Sequence, residues 1–334
     1  MIFAIAGPIL VFILPSIDFA KGQPAKERFS KIDWLGLAVW TGWCVSFFMA
    51  ITFGGTLFEW ESYSMIILWV FVGVLAIAFV LTQKFYPFVE KENRLYPSHM
   101  LRNLKLGILQ VATFSAASAV YVPIYYLPLY FQFAKGESPV DAAVKLLPFV
   151  FMISTISILN GFFMSRWGYY MPWFLVGSLL AVVGGALMYT VTVDTTVSSI
   201  YGYSVLLGIG GGCFMITAFG CVSDIVEPKD IFNAIGVVSL AQCIGITFFP
   251  SISGSIFQNV GARNISPLLP SDYSGDPGAI LAGASGPEWQ SFSEDIQARL
   301  VHAIVDAMSN NYIMIIVAGG ITVLLSPFLG VSTL

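Results

Sequence analysis

The feature that most constrains this chain is a series of uninterrupted apolar runs, each about as long as a helix that crosses a lipid bilayer. The complete runs cover roughly 35–53, 64–83, 106–130, 141–163, 171–191, 199–221, 233–257 and 311–330. A helix needs about 20 residues to cross the hydrocarbon core. An unpaired backbone group costs several kcal/mol there, so helices are the expected form. The runs therefore predict an all-α, polytopic membrane protein.

Composition supports a lipid environment. Of the 334 residues, 57% are hydrophobic and 10% are charged, whereas a soluble domain is about 25% charged. The net charge is −4, and Lys and Arg form no cluster with interleaved aromatic residues, so nucleic acid is not an expected partner. The expected partner is the lipid bilayer.

The sequence gives no sign of a cofactor, a metal site or an enzyme. The four cysteines have no CxxC spacing and no metal-like spacing to either histidine. The serine-hydrolase pattern GxSxG, the zinc-protease pattern HExxH and an intramembrane pair of aspartates are also missing from the sequence. We therefore expect neither cofactor, metal nor catalysis.

The basic residues predict how the helices are oriented. Most of the 15 Lys and Arg residues fall in loops on one side of the membrane: Lys21, Lys26, Arg28, Lys31, Lys84, Lys91, Arg94, Arg102, Lys105, Arg166 and Lys229. Loops on the other side contain only Lys135, Arg263 and Arg299. Short loops rich in Lys and Arg stay in the cytoplasm. Loops 16–34 and 84–105 are therefore predicted to be cytoplasmic, and segment 258–310 to lie outside.

The outer segment carries two further patterns. From Glu288 to Asn310, apolar residues recur at three- and four-residue steps, which predicts an amphipathic helix on the outer surface. Residues 267–287 are rich in Gly, Pro and Ser without periodicity, which predicts a loop. Asn264 begins an Asn-Ile-Ser sequon, so it is a glycosylation candidate on the correct side.

Ionisable residues in the apolar runs are candidates for function because they are costly in a bilayer. Asp141 and Lys145 stand four residues apart at the outer end of one span, where they share a helix face and can pair. Such a pair could form a charged site at the mouth of a cavity. It could also be an interfacial ion pair whose lysine reaches out to water.

Uncharged polar residues within the runs suggest a ligand cavity. Gln110, Tyr121 and Tyr125 share one face of a span, and an aromatic face with a few polar groups suits a large organic ligand. An interfacial aromatic belt is the alternative for the tyrosines. Asn160 and Gln242 also lie in apolar runs, where each amide either faces a cavity or bonds across a helix interface.

A small-residue face predicts close helix packing in one span. Ser204, Gly208 and Gly212 recur every fourth residue, which lets neighbouring helices approach closely. The glycine run here only partly matches a dinucleotide-binding loop, and no βαβ unit surrounds it. We therefore interpret these residues as packing residues.

Four segments resemble the fourteen-spanner drug:proton antiporter branch of the major facilitator superfamily, and especially fungal toxin-efflux pumps. KIDWLG at Lys31–Gly36 resembles the start of that branch's two extra central helices, and YVPIYYLPLYFQ at Tyr121–Gln132 resembles its ninth span. The stretch Gly161–Leu180 resembles the cytoplasmic loop signature of the second half. Gln242 and Gly245 match the Q-x-x-G of the thirteenth span.

The loop signature is matched at Arg166, Gly168 and Pro172. Ser165 stands where many members have Asp. The pair Tyr169–Tyr170 replaces basic residues, as in the toxin-efflux subgroup.

The resemblance implies an architecture. Residues 1–15 would end a truncated spanning helix, 35–83 would form the two-helix insert, and 106–334 would form the C-terminal six-helix bundle. The first five spans of the family pattern would be missing, together with the antiporter signature.

The resemblance also implies a function, which is export of a small hydrophobic organic substrate with protons as the coupling ion. The expected location is the plasma membrane, with the vacuolar membrane as the alternative. Two other readings are a siderophore or iron-chelate transporter of the same superfamily and a nonfunctional fragment.

Overall fold

The structure is a computed structural model that describes residues 29, 32–85, 94–96, 99–270, 273, 275–281, 289 and 291–330. Within these residues the regular structure is entirely helical, and the one β-bridge, between Gly54 and Phe58, is isolated. The truncated span predicted at 1–15 lies outside the described residues. So does most of the predicted loop 16–34.

Twelve α-helices are described. They are α1 Trp34–Phe53, α2 Tyr63–Phe85, α3 Leu104–Lys135, α4 Pro139–Val144, α5 Leu147–Trp167, α6 Met171–Tyr189, α7 Val197–Phe214, α8 Thr217–Ile225, α9 Ile231–Ile265, α10 Pro277–Leu281, α11 Glu294–Ser309 and α12 Ile313–Leu325. Eight helical segments of the described chain are long and apolar enough to cross a membrane. These segments coincide with the eight complete apolar runs, so the all-α membrane fold is confirmed.

Two of the predicted spans are not continuous helices. The span predicted at 141–163 consists of α4 and α5, with a turn at Lys145 and Leu146. Pro148 stands in the first turn of α5, and a proline ring interferes with a helix that continues through it. The span predicted at 199–221 consists of α7 and α8, separated at Met215 and Ile216.

Helix α7 lies against α5 on one side and α6 on the other, and its glycines make this possible. A Cβ atom on Gly208 would lie 2.9 Å from the carbonyl oxygen of Phe149, and one on Gly212 would lie 2.8 Å from that of Ile153. Facing α6, a Cβ atom on Gly210 would lie 2.8 Å from the carbonyl oxygen of Gly177. The predicted packing role of this glycine-rich face is confirmed.

Helices α3 and α9 form the other main contact of the bundle. A Cβ atom on Gly245 would lie 2.7 Å from the carbonyl oxygen of Phe114, so the glycine allows the two backbones to meet. The Phe114 ring also packs against Phe248 and Phe249, with centroids 5.2 and 4.9 Å away. The glycine of the Q-x-x-G motif therefore fixes a helix contact.

The outer segment contains the predicted amphipathic helix in a shorter form. Helix α11 begins at Glu294, with Ser293 as its N-cap residue, and buries Leu300, Ile304 and Met308. These residues belong to the predicted apolar face. The loop predicted at 267–287 also contains the short helix α10, which the composition did not predict.

A glycine-to-alanine pair tests the packing of α7. We expect Gly212→Ala to reduce the free energy of unfolding by about 1 to 3 kcal/mol, because the added methyl group overpacks the contact with Ile153. Gly202 lies on the same helix with no atom within 4 Å of an added Cβ, so Gly202→Ala is the matched control. Thermal melting of the detergent-solubilised chain measures both. Equal melting temperatures for the two variants would contradict the packing account.

Candidate functional site

A cavity of about 460 Å³ with charged residues in its lining opens at the predicted outer face, between the end of α3 and the start of α5. It is lined by Glu137, Asp141, Val144, Lys145, Pro148 and Tyr201. Helix α3 ends at Lys135, and the next residue, Gly136, has a φ of 65°, the left-handed conformation that terminates many helices. Glu137 follows directly, and this turn places its carboxylate beside the cavity.

The charged side chains at this mouth form a different pair from the one that spacing predicts. Lys145 forms an ion pair with Glu137 instead of Asp141. Asp141 is exposed and accepts a hydrogen bond of 2.6 Å from the Ser138 hydroxyl at the start of α4. The Lys145 N–H donates to the Asp141 carbonyl at 3.2 Å, so the two residues keep their helical spacing. The lysine side chain nevertheless reaches Glu137, in the turn before α4.

Glu137 is the main residue at this mouth that the helical spacing missed. Its Oε1 atom bonds to Lys145, while Oε2 is buried and has no hydrogen-bond partner among the described residues. The Lys145 ammonium also lies 4.9 Å from the centroid of the Phe131 ring. The sequence signal that could have identified Glu137 is its position, as an acidic residue directly after a glycine that terminates a helix.

The predicted aromatic face of α3 divides into two parts. Phe114 and Ala117 lie on the same face at helical spacing, between Gln110 and Tyr121, and they pack against α9. Further along the helix, Tyr121 is half-buried and Tyr125 is 63% exposed. Only the outer part of this face is therefore open to a ligand.

Gln110 stands at the predicted cytoplasmic end of α3, where it is half-buried. Its Oε1 atom accepts a hydrogen bond of 2.7 Å from the Tyr96 hydroxyl. Burial raises the pKa of the Tyr96 phenol above its ordinary value, and the hydrogen bond to Gln110 acts in the opposite direction. Tyr96 is therefore protonated at neutral pH and can donate this hydrogen bond.

Asn160 joins two helical segments within the bundle. It is 3% exposed, and its amide nitrogen donates to the Cys213 carbonyl and to the Thr217 hydroxyl, each at 2.6 Å. These bonds connect α5 to the break between α7 and α8, as the interhelical alternative predicted. Its Oδ1 atom is buried without a hydrogen-bond partner in the described structure.

Gln242 lies half-buried on α9. Helical periodicity puts it on the same face as Val238, Gly245 and Phe249, all of which are buried. It is therefore close to the α3 side of α9.

A second cavity is an apolar groove of about 530 Å³ between α1 and α9. Its lining includes Trp40, Cys44 and Phe48 on α1, and Cys243, Ile244 and Thr247 on α9. The five residues predicted to face a substrate cavity do not line this groove. In the described part of the chain, no group of three or more His, Cys, Asp or Glu residues is arranged to hold a metal ion.

Comparison with protein families identifies this helical bundle. The family model of the Major Facilitator Superfamily matches residues 34–250, which include α1, α2 and most of the bundle. The chain belongs to this superfamily. It is a multi-pass membrane protein whose relatives are transporters.

Several curated relatives from fungi are similar over nearly the whole chain. Efflux pump DEP3 of Fusarium langsethiae is 34% identical over 96% of this chain and 58% of its own length. MFS-type transporter pgmG of Aspergillus terreus is 39% identical over 98% and 58%. Efflux pump patC of Aspergillus clavatus is 37% identical over 98% and 60%. The chain thus spans about 58% of the length of the first relatives.

A solved structure shows the same fold. A bacterial homolog to the human lysosomal transporter Spinster, in an inward-facing and unoccupied conformation, has a TM-score of 0.50 with this chain. The match covers 89% of this chain and 66% of that chain, at 14% identity. This likeness supports the fold alone.

The segment that resembles the superfamily loop signature lies between α5 and α6. Gly168 is the C-cap residue of α5, with a φ of 75°, and its N–H donates to the Met164 carbonyl at 2.9 Å. Pro172 is in the first turn of α6, where a missing N–H is tolerated, and Arg166 is exposed in the last turn of α5. The glycine and proline thus produce the tight turn, while the arginine side chain is exposed.

The glycosylation candidate Asn264 lies in the last turn of α9 instead of a loop. It is half-buried, and its neighbour Ile265 is fully buried. Acceptor sequons are expected in surface loops. This placement disfavours modification of Asn264.

The Glu137–Lys145 pair can be tested by charge removal. We expect Lys145→Met to destabilise the chain by about 1 to 2 kcal/mol, because it leaves a largely buried carboxylate without its partner. The double variant Glu137→Gln with Lys145→Met should recover most of this loss. Asp141→Asn is the matched control and should change little. Thermal melting measures the stability of each variant. If Asp141→Asn destabilised the chain as much as Lys145→Met, the result would contradict the Glu137 pairing and favour the predicted pairing with Asp141.

Proposed function

We propose that this chain forms the substrate-handling C-terminal part of a secondary transporter that exports small hydrophobic organic molecules by proton antiport. The observation that carries the proposal is similarity over 96% and 98% of the chain to proteins named efflux pumps. The similarity includes the hairpin α1–α2 as well as the bundle. We place the protein in the plasma membrane, with the vacuolar membrane as the alternative.

The open part of α3 supports an aromatic or amphipathic substrate. Tyr121 and Tyr125 offer ring faces and hydroxyl groups next to apolar surface, which is the usual character of small-molecule sites. We propose Gln242 as a further polar contact nearer the cytoplasmic side, because it lies one turn inward of Gly245, which meets α3 at Phe114. Gln110 and Asn160 would act indirectly, since their amides bond to Tyr96 and to the break at Thr217.

Proton coupling needs a carboxylate that can exchange protons during the transport cycle. Glu137 is the candidate in the described part of the chain, because it borders a cavity, is paired with one lysine and has one unpaired oxygen. Ionisable residues near a membrane pathway are functional candidates by default. None of the three relatives above is named as an iron-chelate transporter, so they give that alternative no support.

The function is tested by efflux of rhodamine 6G from yeast cells that lack their own drug pumps. The chain spans only part of its relatives, so the assay uses both the chain and a version extended by its upstream genomic sequence. We expect at least one version to export the dye at a rate that falls when the proton gradient is collapsed. Dye retention in both versions, with each present in the plasma membrane, would contradict the proposal.

A matched pair of tyrosine variants tests the substrate face. We expect Tyr125→Ala to reduce the export rate by about tenfold, since an aromatic contact of about 1.4 kcal/mol is lost. Tyr189 is also an exposed tyrosine, at the end of α6 and away from this face, so Tyr189→Ala is the control. Equal export rates for the two variants, at equal protein levels, would remove Tyr125 from the proposed site.

A further inference from the structure

A buried carboxylate joins both helices of the hairpin α1–α2 at the predicted cytoplasmic face. Asp33 is 5% exposed. Its Oδ1 atom accepts from the Gly36 N–H at 2.8 Å and caps α1. Its Oδ2 atom accepts from the Gln83 amide nitrogen on α2 at 2.9 Å and from the Leu95 N–H at 3.2 Å. Asp33 therefore bonds to both helices and to the segment that leads to α3.

The segment Arg94–Tyr96 extends this connection to the bundle. The Gln83 Oε1 atom accepts from the Tyr96 N–H at 2.9 Å. Arg94 donates to the Gln83 carbonyl at 2.5 Å and to the Lys84 carbonyl at 3.3 Å, at the end of α2. The Tyr96 hydroxyl then donates to Gln110 on α3. We call Asp33, Gln83, Arg94, Tyr96 and Gln110 the inner fastening.

Gly36 is necessary for this arrangement. A Cβ atom at this position would lie 2.6 Å from the Gln83 amide nitrogen and would also collide with the Asp33 carboxylate. This explains the glycine of the KIDWLG segment physically. The motif builds the cap and makes room for the glutamine.

The hairpin is attached a second time at the predicted outer face. The Asn259 amide nitrogen, on α9, donates to the Gly54 carbonyl at 3.1 Å, directly after α1. Gly55 has a φ of 73°, and a Cβ atom there would collide with the Asn259 side-chain oxygen. We call Gly54, Gly55 and Asn259 the outer fastening.

An aromatic stack connects the same elements between the two fastenings. The Phe47 ring on α1 is stacked on Phe248 of α9, with centroids 6.2 Å apart and an interplanar angle of 6°. Phe248 in turn contacts Phe114 on α3 at 5.2 Å. The hairpin therefore contacts the bundle at both faces and in the middle.

We propose that the hairpin α1–α2 and the bundle form one rigid body that moves as a unit during transport. The claim that the hairpin and the bundle move together during transport rests on the proposed function. The claim that the hairpin is attached to the bundle does not. Sliding α1 along α9 would break the Asn259–Gly54 bond at the outer face and the hydrogen bonds of the inner fastening. Asp33 and Gln83 of the inner fastening are buried, so losing their partners is costly. The apolar groove between α1 and α9 therefore has fixed walls and is not the interface that opens and closes.

The test is a cysteine crosslink in the full chain and in the extended version described above, in membranes. The four native cysteines are replaced by alanine, and Phe47→Cys with Phe248→Cys is treated with a short bismaleimide. A pair within the hairpin, Ala50→Cys with Met65→Cys, is the control, because both residues lie in its own core. We expect the crosslinked fraction across α1 and α9 to change by less than about twofold when a proton gradient or rhodamine 6G is added, as for the control.

The crosslink also separates this inference from the proposed function. Export that survives crosslinking of Phe47→Cys with Phe248→Cys supports one rigid body. Export that is present before crosslinking and lost after it would overturn the proposal. If neither version exports the dye, the proposed function fails, and the crosslinked fraction with and without the gradient still decides whether the hairpin moves.

A second measurement needs no substitution in the aromatic stack. Hydrogen exchange of the unaltered chain reports on the Leu95 and Tyr96 amides, which donate to Asp33 and Gln83. We expect the protection of these two amides from exchange to stay constant when a proton gradient or rhodamine 6G is added. Exchange that rises more than about tenfold on adding the gradient would show that the inner fastening opens, and would overturn the proposal.

Discussion

Polar groups between helices in hydrocarbon must be bonded within the protein, and this constraint decides which helices of this chain are joined. Lipid supplies little hydrophobic force between helices, so packing of small residues and a few hydrogen bonds define the contacts. Asp33 joins α1, α2 and the segment before α3, Asn160 joins α5 to the break at α8, and Asn259 joins α9 to the end of α1. Gly212 and Gly245 let the backbones come close enough.

These contacts divide the molecule into a fixed frame and a few open sites. The frame contains the two fastenings of the hairpin and the glycine contacts of the bundle. The open sites are the mouth at Glu137 and Lys145, the outer part of the α3 face at Tyr121 and Tyr125, and the apolar groove beside α1. In a chain of the Major Facilitator Superfamily, such sites next to a rigid frame suit a transporter that binds a substrate on a body that moves as a whole.

The sequence predicted what depends on local pattern. Run length and composition were sufficient to predict the eight spans. The four-residue spacing was sufficient to predict the packing face at Gly208 and Gly212. Partners far apart in the chain were not predictable, because helical spacing says nothing about them: Asp33 and Gln83 are 50 residues apart. The sequence assigned Lys145 the wrong partner because spacing finds only partners on the same helix, whereas Glu137 lies in the turn before α4.

In the proposed topology, three candidate spans separate the loop at Arg166 from α11, so that Arg166 and Arg299 lie on opposite faces of the membrane. This topology is tested most directly by Arg166→Cys and Arg299→Cys, each in a background without native cysteines, labelled in cells with a membrane-impermeant maleimide. The account predicts that Arg299→Cys is labelled in intact cells and that Arg166→Cys is labelled only after permeabilisation. Labelling of both residues in intact cells, or of Arg166→Cys alone, would contradict it.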